Sequence, residues 1–272
     1  EQIGRILTAL KKHGLYDNTL ILMFSDHGDM LGDHHLWRKT YAYQSSAAIP
    51  MLLRWPNAMG MDQQRGKTFP EPVELRDVLP TFLDAAGAPL PTHFTAENAE
   101  DAEPVERVTA ESAEPAKKNL KSTLSALSTS SAVNPFSAFP AASAVPRHRL
   151  DGKSLLELVH GNTKSWRPFI DLEHSMCYNQ DHWNALTDGK VKYIYCAFDG
   201  REELFDLTND PRELHNLAAD PAHNDTLLQW RQRMVEHFSE RAEPFVHDGK
   251  LTIRKERLLY SPHFPKKPAT KT

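Results

Sequence analysis

The sequence predicts an α/β protein that continues into a small α+β subdomain built on an antiparallel sheet. In residues 1–94, short apolar runs bounded by turn residues alternate with stretches of helical periodicity. In residues 166–265, short alternating segments are separated by Asp-Gly turns and followed by a long amphipathic stretch. A helix laid on one face of an antiparallel sheet accounts for this second pattern.

The first predicted elements are one helix and two short strands. Residues 2–13 place apolar side chains three and four positions apart and end near Gly14, a residue suited to the end of a helix. Residues 20–24 form an apolar run that is short enough for one buried strand. Residues 50–56 predict a second buried strand, with a proline at each end.

A second helix and an inserted segment follow. Residues 74–86 carry apolar side chains at helical spacing and stop at Gly87, and Pro80 within them predicts a kink. Residues 95–146 consist mostly of small and polar residues and have no sustained period. Because such a segment buries too little apolar surface to offset its ordering entropy, we expect it to be a disordered surface linker.

The C-terminal part predicts a meander of strands and then a helix. The predicted strands cover 169–173, 183–187, 191–195 and 203–207, and the helix covers 224–240. We therefore divide the chain into an α/β domain at 1–94 and 147–165, a disordered insert at 95–146, an antiparallel-sheet subdomain at 166–265 and an unstructured tail at 266–272.

Composition argues against some classes of function. The formal net charge of −4 disfavours a nucleic-acid or anionic-membrane binder, and no apolar run is long enough for a transmembrane helix.

The two cysteines, Cys177 and Cys196, are spaced in a way that favours two buried free thiols over a disulfide. The chain starts at Glu1 inside a predicted helix and lacks a signal-peptide pattern, which favours the C-terminal portion of a longer chain over a processed full-length protein.

Polar residues follow the first predicted strand directly. Asp26 and His27 stand where this strand ends, and ligand sites in open α/β sheets lie beyond such ends. A carboxylate and an imidazole suit a divalent cation. Because adjacent strand residues point to opposite faces, both can reach one metal only where the strand breaks at Gly28.

A lysine and two more histidines lie in the same stretch. Lys39 can reach back over the strand end as a cation for an anionic group. His34 and His35 are candidates for acid/base work. The apolar pair Leu36-Trp37 indicates a charged loop that is anchored by an aromatic side chain. From the residues alone, a metal-dependent hydrolase site and an ordinary solvated turn both remain open.

These residues carry a specific resemblance. The stretch 25–39 is similar to a signature block of the type I sulfatases in the alkaline phosphatase superfamily. The resemblance implies an alkaline-phosphatase-like mixed sheet flanked by helices, present here in part, with a small antiparallel-sheet subdomain. It also implies export to the periplasm or the extracellular space. Further stretches resemble the same family in the same order, at 3–19, 50–56, 76–83, 150–155, 183–194 and 203–211.

The resemblance implies roles for single residues. Asp26 and His27 would complete a calcium site, and Lys39 would contact the sulfate of a carbohydrate or aryl sulfate ester. The nucleophile of the family is a formylglycine made from Cys or Ser in a Cys/Ser-x-Pro-x-Arg motif, which surrounds neither Cys177 nor Cys196. We therefore expect the nucleophile and the other metal ligands in a missing N-terminal part, and no turnover by residues 1–272 alone. The catalytic candidates in this chain are His27 and Lys39.

Two alternatives stay open under this resemblance. His27 stands where the family commonly has Asn, and an imidazole suits Mn²⁺ or Zn²⁺ better than Ca²⁺. A phosphonate monoester hydrolase or phosphodiesterase of the same superfamily is therefore one alternative, and a non-catalytic remnant is the other. His174 is a candidate substrate contact, with a structural histidine as its alternative.

Overall fold

The computed structural model describes residues 1–88, 151–174, 182–239, 241 and 244–255. The chain divides into two compact units, one made of Glu1–Leu75 with Leu155–Thr272 and the other of Arg76–Ser154. The predicted insert at 95–146, the tail at 266–272 and Cys177 lie outside the described residues, and the predicted division into domains stays a prediction. No helix in the described ranges is long and apolar enough to cross a membrane.

Helices and strands follow one another in the predicted order. The helices are α1 (Gln2–Lys12), α2 (Gln44–Ala47), α3 (Val78–Ala85), α4 (Leu155–Val159) and α5 (Asn224–Ser239). The strands are β1 (Ile21–Phe24), β2 (Met51–Arg54), β3 (Ile170–His174), β4 (Trp183–Thr187), β5 (Val191–Cys196), β6 (Arg201–Asp206), β7 (Val246–His247) and β8 (Lys250–Leu251).

The predicted helices are confirmed, with small shifts of their ends. Gly14 follows α1 with φ +67°, a left-handed conformation that glycine adopts without steric cost. The helix α3 begins at Val78, because Leu75–Asp77 form a 3₁₀ turn before it. Pro80 is therefore the third residue of α3, where a missing N–H removes no intrahelical hydrogen bond, and this takes away the reason to expect a kink.

The strands β1 and β2 pair antiparallel, but the prediction that both are buried is wrong. Leu22 and Leu53 pack against the apolar side chains of α4. On the other side of the strands, Met23 and Leu52 are 39% and 57% exposed, and Phe24 at the end of β1 is 41% exposed. A short apolar run reports the character of its side chains, whereas burial depends on which neighbours cover them.

Within the unit Arg76–Ser154, residues from the two sides of the predicted insert lie side by side. The backbone N–H of Lys153 donates to Asp77 Oδ1 at 2.8 Å, and Ser154 Oγ donates to Asp84 Oδ2 at 2.5 Å. A Cβ at Gly152 would lie 1.9 Å from the carbonyl oxygen of Arg76, so this approach requires glycine.

Strands β3 to β6 form a four-stranded antiparallel meander, and α5 packs on one face of it as predicted. Alternation along β5 decides what each face receives. Tyr193 and Tyr195 point towards α5 and pack with its Trp230 and Met234. Ile194 points to the opposite face, where Ala42 and other residues of the loop after β1 pack against it. The sheet therefore lies between a helix and a loop, and the second cover is not predicted from the sequence.

We expect Met234→Ala to lower the free energy of unfolding by about 2–5 kcal/mol, because it opens a cavity in a fully buried part of the core. Leu228→Ala on the same helix is the matched control, since Leu228 is 46% exposed, and it should cost less than about 1 kcal/mol. Urea denaturation followed by circular dichroism measures both changes. Equal losses for the two variants would contradict the packing of α5 on the sheet.

Candidate active site

The candidate site lies at the end of β1, where the chain turns at Gly28. The N–H of Gly28 donates to the carbonyl of Ser46 at 2.8 Å, which ties the turn to α2. A Cβ at position 28 would lie 2.1 Å from the carbonyl oxygen of Ser45. Only a glycine therefore allows the two backbone segments to approach this closely.

The ring of His27 has one defined tautomer. Its Nδ1 lies 2.6 Å from the carbonyl oxygen of Gly28, and because a carbonyl only accepts, Nδ1 carries the proton. The lone pair of Nε2 is then available as an acceptor. Lys39 Nζ donates to this nitrogen at 2.8 Å, and Asp26 Oδ2 lies 3.3 Å from it. The structure therefore brings the three predicted residues together.

Asp26 and His27 fit part of a divalent-cation site. The carboxylate of Asp26 is 79% exposed, and the His27 tautomer leaves Nε2 free of a proton, as metal binding requires. In the described part of the chain, no group of three or more His, Cys, Asp and Glu side chains converges as a metal site. Asp26 and His27 thus supply two donors of a set that needs more.

Hydrogen bonds to the backbone of the loop bring Lys39 close to His27. The carboxylate of Asp29 accepts hydrogen bonds from the N–H groups of Leu31 and Arg38 at 3.0 and 3.1 Å. Met30 is buried, and its N–H donates to the carbonyl of Arg38 at 2.8 Å. These hydrogen bonds join the two ends of the loop, at Asp29 and Arg38. Lys39 therefore lies beside the end of β1, where the loop begins.

The loop that carries Lys39 is strained. Left-handed backbone is unfavourable for residues with a side chain and persists only where the surroundings impose it. Such residues cluster at functional sites, so their presence agrees with a site at this position. Between Gly28 and Tyr41 the left-handed non-glycine residues are Leu31, His34, His35, Arg38 and Thr40, with φ of 44°, 52°, 59°, 69° and 91°.

His34 holds the loop in place, and its predicted acid/base work stays a prediction. Its Nε2 lies 2.9 Å from the carbonyl oxygen of Arg212, to which it donates, and its ring stacks on Tyr43 with centroids 4.1 Å apart. Hydrogen bonds from Ser45 and from the Arg212 guanidinium lower the pKa of the neighbouring Asp33 carboxyl. His35 is exposed. The sequence cannot reveal the role of His34, because its partner lies far along the chain.

The prediction that Trp37 anchors the loop is wrong, because its side chain is 68% exposed. Other aromatic residues do this. Tyr43 OH donates to Glu203 Oε2 at 3.0 Å, and the indole N–H of Trp183 donates to the carbonyl of Thr40 at 2.9 Å. The anchors therefore come from both the loop and the sheet below it.

His174 and Cys196 lie on the sheet. His174 ends β3, where its ring stacks on Trp183 with centroids 6.0 Å apart, and its role as a substrate contact stays a prediction. Cys196 is a free thiol, as predicted. Burial, with a smaller contribution from Glu203, raises its pKa to about 11, so it is protonated at neutral pH and unsuited to act as a nucleophile.

Sequence reasoning misses Lys192, Glu213 and Arg212, which hold this loop against the sheet. Lys192 is fully buried on β5 and pairs with Glu213 at 2.7 Å. Arg212 Nη2 donates to Asp33 Oδ1 at 2.6 Å. One signal was present, since strand alternation places Lys192 on the same face as the buried Ile194. Its partner could not be inferred from the sequence.

Comparisons with known proteins identify the relatives of this chain. The family model described as Sulfatase matches residues 1–88. An arylsulfatase of Clostridium perfringens is 28% identical over 250 residues, which are 92% of this chain and 40% of that protein. A choline-sulfatase of Rhizobium meliloti is 29% identical over 246 residues, which are 89% of this chain and 36% of that protein. The predicted resemblance to sulfatases is confirmed, and the chain spans about two fifths of the length of these relatives.

Solved structures agree with the predicted fold. A phosphonate monoester hydrolase of Agrobacterium radiobacter has a TM-score of 0.57 and 22% identity, over 93% of this chain and 42% of that one. At this identity the similarity concerns the fold alone. The alkaline-phosphatase-like α/β fold, present here in part, is confirmed.

We expect Gly28→Ala to displace the turn that carries Asp26 and His27, because the new Cβ would meet the backbone of Ser45. The overlap should lower the free energy of unfolding by about 1–3 kcal/mol. Gly4→Ala in α1 is the control, since nothing lies within 4 Å of its added Cβ, and it should stabilise by about 0.5–1 kcal/mol. Urea denaturation of both variants measures this, and a neutral Gly28→Ala would contradict the described turn.

We expect alkylation of Cys196 by iodoacetamide to rise with pH up to about 11, because only the thiolate reacts. At pH 8 the thiolate fraction should be roughly a hundredfold below that of a thiol with the ordinary pKa of 9.0. Mass spectrometry of a Cys177→Ser variant gives the rate, and the same protein in urea is the control. A midpoint near 9 in the folded protein would contradict the raised pKa.

Proposed function

We propose that this chain, whose residues 1–88 match the sulfatase family, is part of a sulfuric ester hydrolase that cleaves a sulfate ester of a carbohydrate or an aryl alcohol. The observation that supports this best is the convergence of Lys39 Nζ and Asp26 Oδ2 on His27 Nε2, at 2.8 and 3.3 Å. The ammonium of Lys39, next to two of the ligands that a metal site needs, suits the binding of an anionic ester. The names of the two sulfatase relatives support the same reaction class.

In this proposal each of the three side chains has a distinct task. Asp26 and His27 would hold a divalent cation, which when bound would withdraw charge from the sulfate oxygens. The lone pair of His27 Nε2 cannot accept from Lys39 and bind a cation at the same time. The ammonium of Lys39 is then free to donate to a sulfate oxygen, where negative charge develops during cleavage of the S–O bond.

We also propose that the nucleophile is a formylglycine in a part of a longer chain outside these 272 residues. Among the described residues, Ser25 Oγ donates to the carbonyl of His27 at 2.7 Å, and Cys196 has a raised pKa. Neither group suits an attack on sulfur. His174 remains a candidate contact to the part of the substrate that bears the sulfate.

The main alternative is a phosphonate monoester hydrolase or phosphodiesterase. It is favoured by the imidazole of His27, because nitrogen ligands suit Mn²⁺ or Zn²⁺ better than Ca²⁺. Metal analysis of the longer protein, with rates on 4-nitrophenyl sulfate and 4-nitrophenyl phenylphosphonate, separates the two. Calcium and a preference for the sulfate support the proposal, whereas a transition metal and a preference for the phosphonate support the alternative. Absence of both activities supports a non-catalytic remnant.

We expect Lys39→Met in the longer protein to lower kcat/KM for 4-nitrophenyl sulfate by about 10²–10³, the usual effect of removing one donor to a charged transition state. Its metal content should not change. Lys190→Met, at an exposed turn of the C-terminal sheet, is the matched control and should retain full activity. A Lys39→Met enzyme with unchanged kcat/KM would rule out the role of this ammonium.

We expect residues 1–272 alone to show no turnover of 4-nitrophenyl sulfate, with or without added Ca²⁺ or Mn²⁺. The reason is that Asp26 and His27 supply two metal ligands of a set that needs more, and neither Ser25 nor Cys196 suits the role of nucleophile. The longer protein under the same conditions is the positive control. Turnover by the 272 residues that is lost in Lys39→Met would show that the nucleophile lies within them.

A further inference from the structure

A buried ion pair lies beneath the loop that carries Lys39. Lys192 and Glu213 have side chains that are 0% and 1% exposed, and Lys192 Nζ lies 2.7 Å from Glu213 Oε1. Lys192 belongs to β5 and points away from α5, to the face of the sheet on which the loop packs. The two charges are therefore enclosed between the sheet and this loop.

The remaining hydrogen bonds of the pair go to the segment just after Lys39. Lys192 Nζ donates to the carbonyl of Ala42 at 2.7 Å and to Gln44 Oε1 at 2.8 Å. Glu213 Oε2 accepts from the backbone N–H of Gln44 at 2.5 Å. The pair thus holds residues 42–44 through two contacts to the backbone and one to the side chain of Gln44.

The segment just before Lys39 is held by the neighbour of Glu213. Arg212 accepts from His34 through its carbonyl at 2.9 Å and donates to Asp33 through its guanidinium at 2.6 Å. Glu213 has left-handed backbone with φ +57°, and its carboxylate and the Arg212 carbonyl both contact the loop. The two flanks of Lys39 are therefore attached to adjacent residues, the segment before it to Arg212 and the segment after it to Glu213.

Stability alone does not account for such a pair. Removing two charges from water is unfavourable, and apolar replacements of buried ion pairs are often neutral or stabilising. Burial lowers the pKa of Lys192, and Glu213 opposes this shift. The pair instead specifies one position of the loop. Its hydrogen bonds need particular donors and acceptors at defined geometry, whereas apolar contacts do not.

We propose that Lys192 and Glu213 are positioning residues for Lys39, and that they hold its loop so that the ammonium stays beside His27. The inference rests on the proposed function only where it concerns the effect on sulfate ester turnover. The effect on the loop can be tested without any activity.

The variant Lys192→Met/Glu213→Gln removes both charges and approximately retains the side-chain volumes. Its matched control is Arg231→Met/Glu202→Gln. This variant removes a bidentate pair, with two contacts of 2.7 Å, between α5 and the face of the sheet on which α5 packs, away from the loop. Hydrogen exchange of residues 29–47, measured by mass spectrometry, should become at least about tenfold faster in the first variant. The control should leave this segment unchanged, and β4 and β5 should stay protected in the first variant.

Kinetics of the longer protein test the consequence for the reaction. For 4-nitrophenyl sulfate we expect KM to rise and kcat to fall, with kcat/KM lowered by about tenfold to a hundredfold, because Lys39 is retained but less often in place. The single variant Glu213→Gln keeps an acceptor for Gln44 but leaves the buried Lys192 ammonium without a counter-charge, so it should lower kcat/KM at least as much as the double variant. The control variant should match the wild type in both constants.

The outcomes separate this inference from the proposed function. Unchanged exchange in residues 29–47 would overturn the inference, whether or not the protein is a sulfatase. Faster exchange with unchanged kcat/KM would also overturn it, because the loop would then not govern Lys39. If the double variant exchanges faster than the wild type but the wild-type protein hydrolyses no sulfate ester, the attachment of the loop is supported and the proposed function is contradicted. If the double variant does not fold, Gln44→Leu, which removes one acceptor of Lys192 and keeps the ion pair, decides instead, with a smaller change in exchange expected in the same segment.

Discussion

The buried ammonium of Lys192 is the constraint on which much of the remaining structure depends. A charge without access to water must be paired and hydrogen-bonded. Because side chains alternate along β5, the Lys192 ammonium lies on the face of the sheet opposite to α5. Its pairing requires Glu213 from the segment after β6 and the carbonyl of Ala42 from the loop after β1. The contacts that satisfy one charge therefore also bring the candidate site loop onto the C-terminal sheet.

The site loop is a strained segment that is stabilised by contacts from elsewhere. Five of its non-glycine residues have left-handed backbone, which an isolated loop of this composition would avoid. Asp29 closes the loop from within, while Thr40 is held by Trp183 and His34 by Arg212. Such an arrangement keeps Lys39 close to His27. In the proposed function, this placement supplies the preorganisation that electrostatic stabilisation of a charged ester requires.

One prediction about a side chain in the loop fails, and the position of another is not predicted. Trp37 was expected to anchor the loop and is exposed, whereas His34 lies between Tyr43 and Arg212 and attaches the loop to the segment after β6. Residue type predicts what a side chain can do, but a loop has no periodicity from which its direction could be inferred. The burial of β1 and β2 fails similarly, since Met23 and Leu52 lie on the uncovered side of the two strands.

The sequence by itself determined the order and type of the main elements, because helical and strand periodicities and Asp-Gly turns are local properties. It also determined the residues of the candidate site, since Asp26, His27 and Lys39 lie in one recognisable stretch. Only the tertiary structure decided that the loop covers the second face of the sheet, that His27 has its proton on Nδ1, and that Lys192 pairs with Glu213. These are contacts between residues that are distant in sequence or depend on the direction of a backbone carbonyl, and neither leaves a local pattern in the chain.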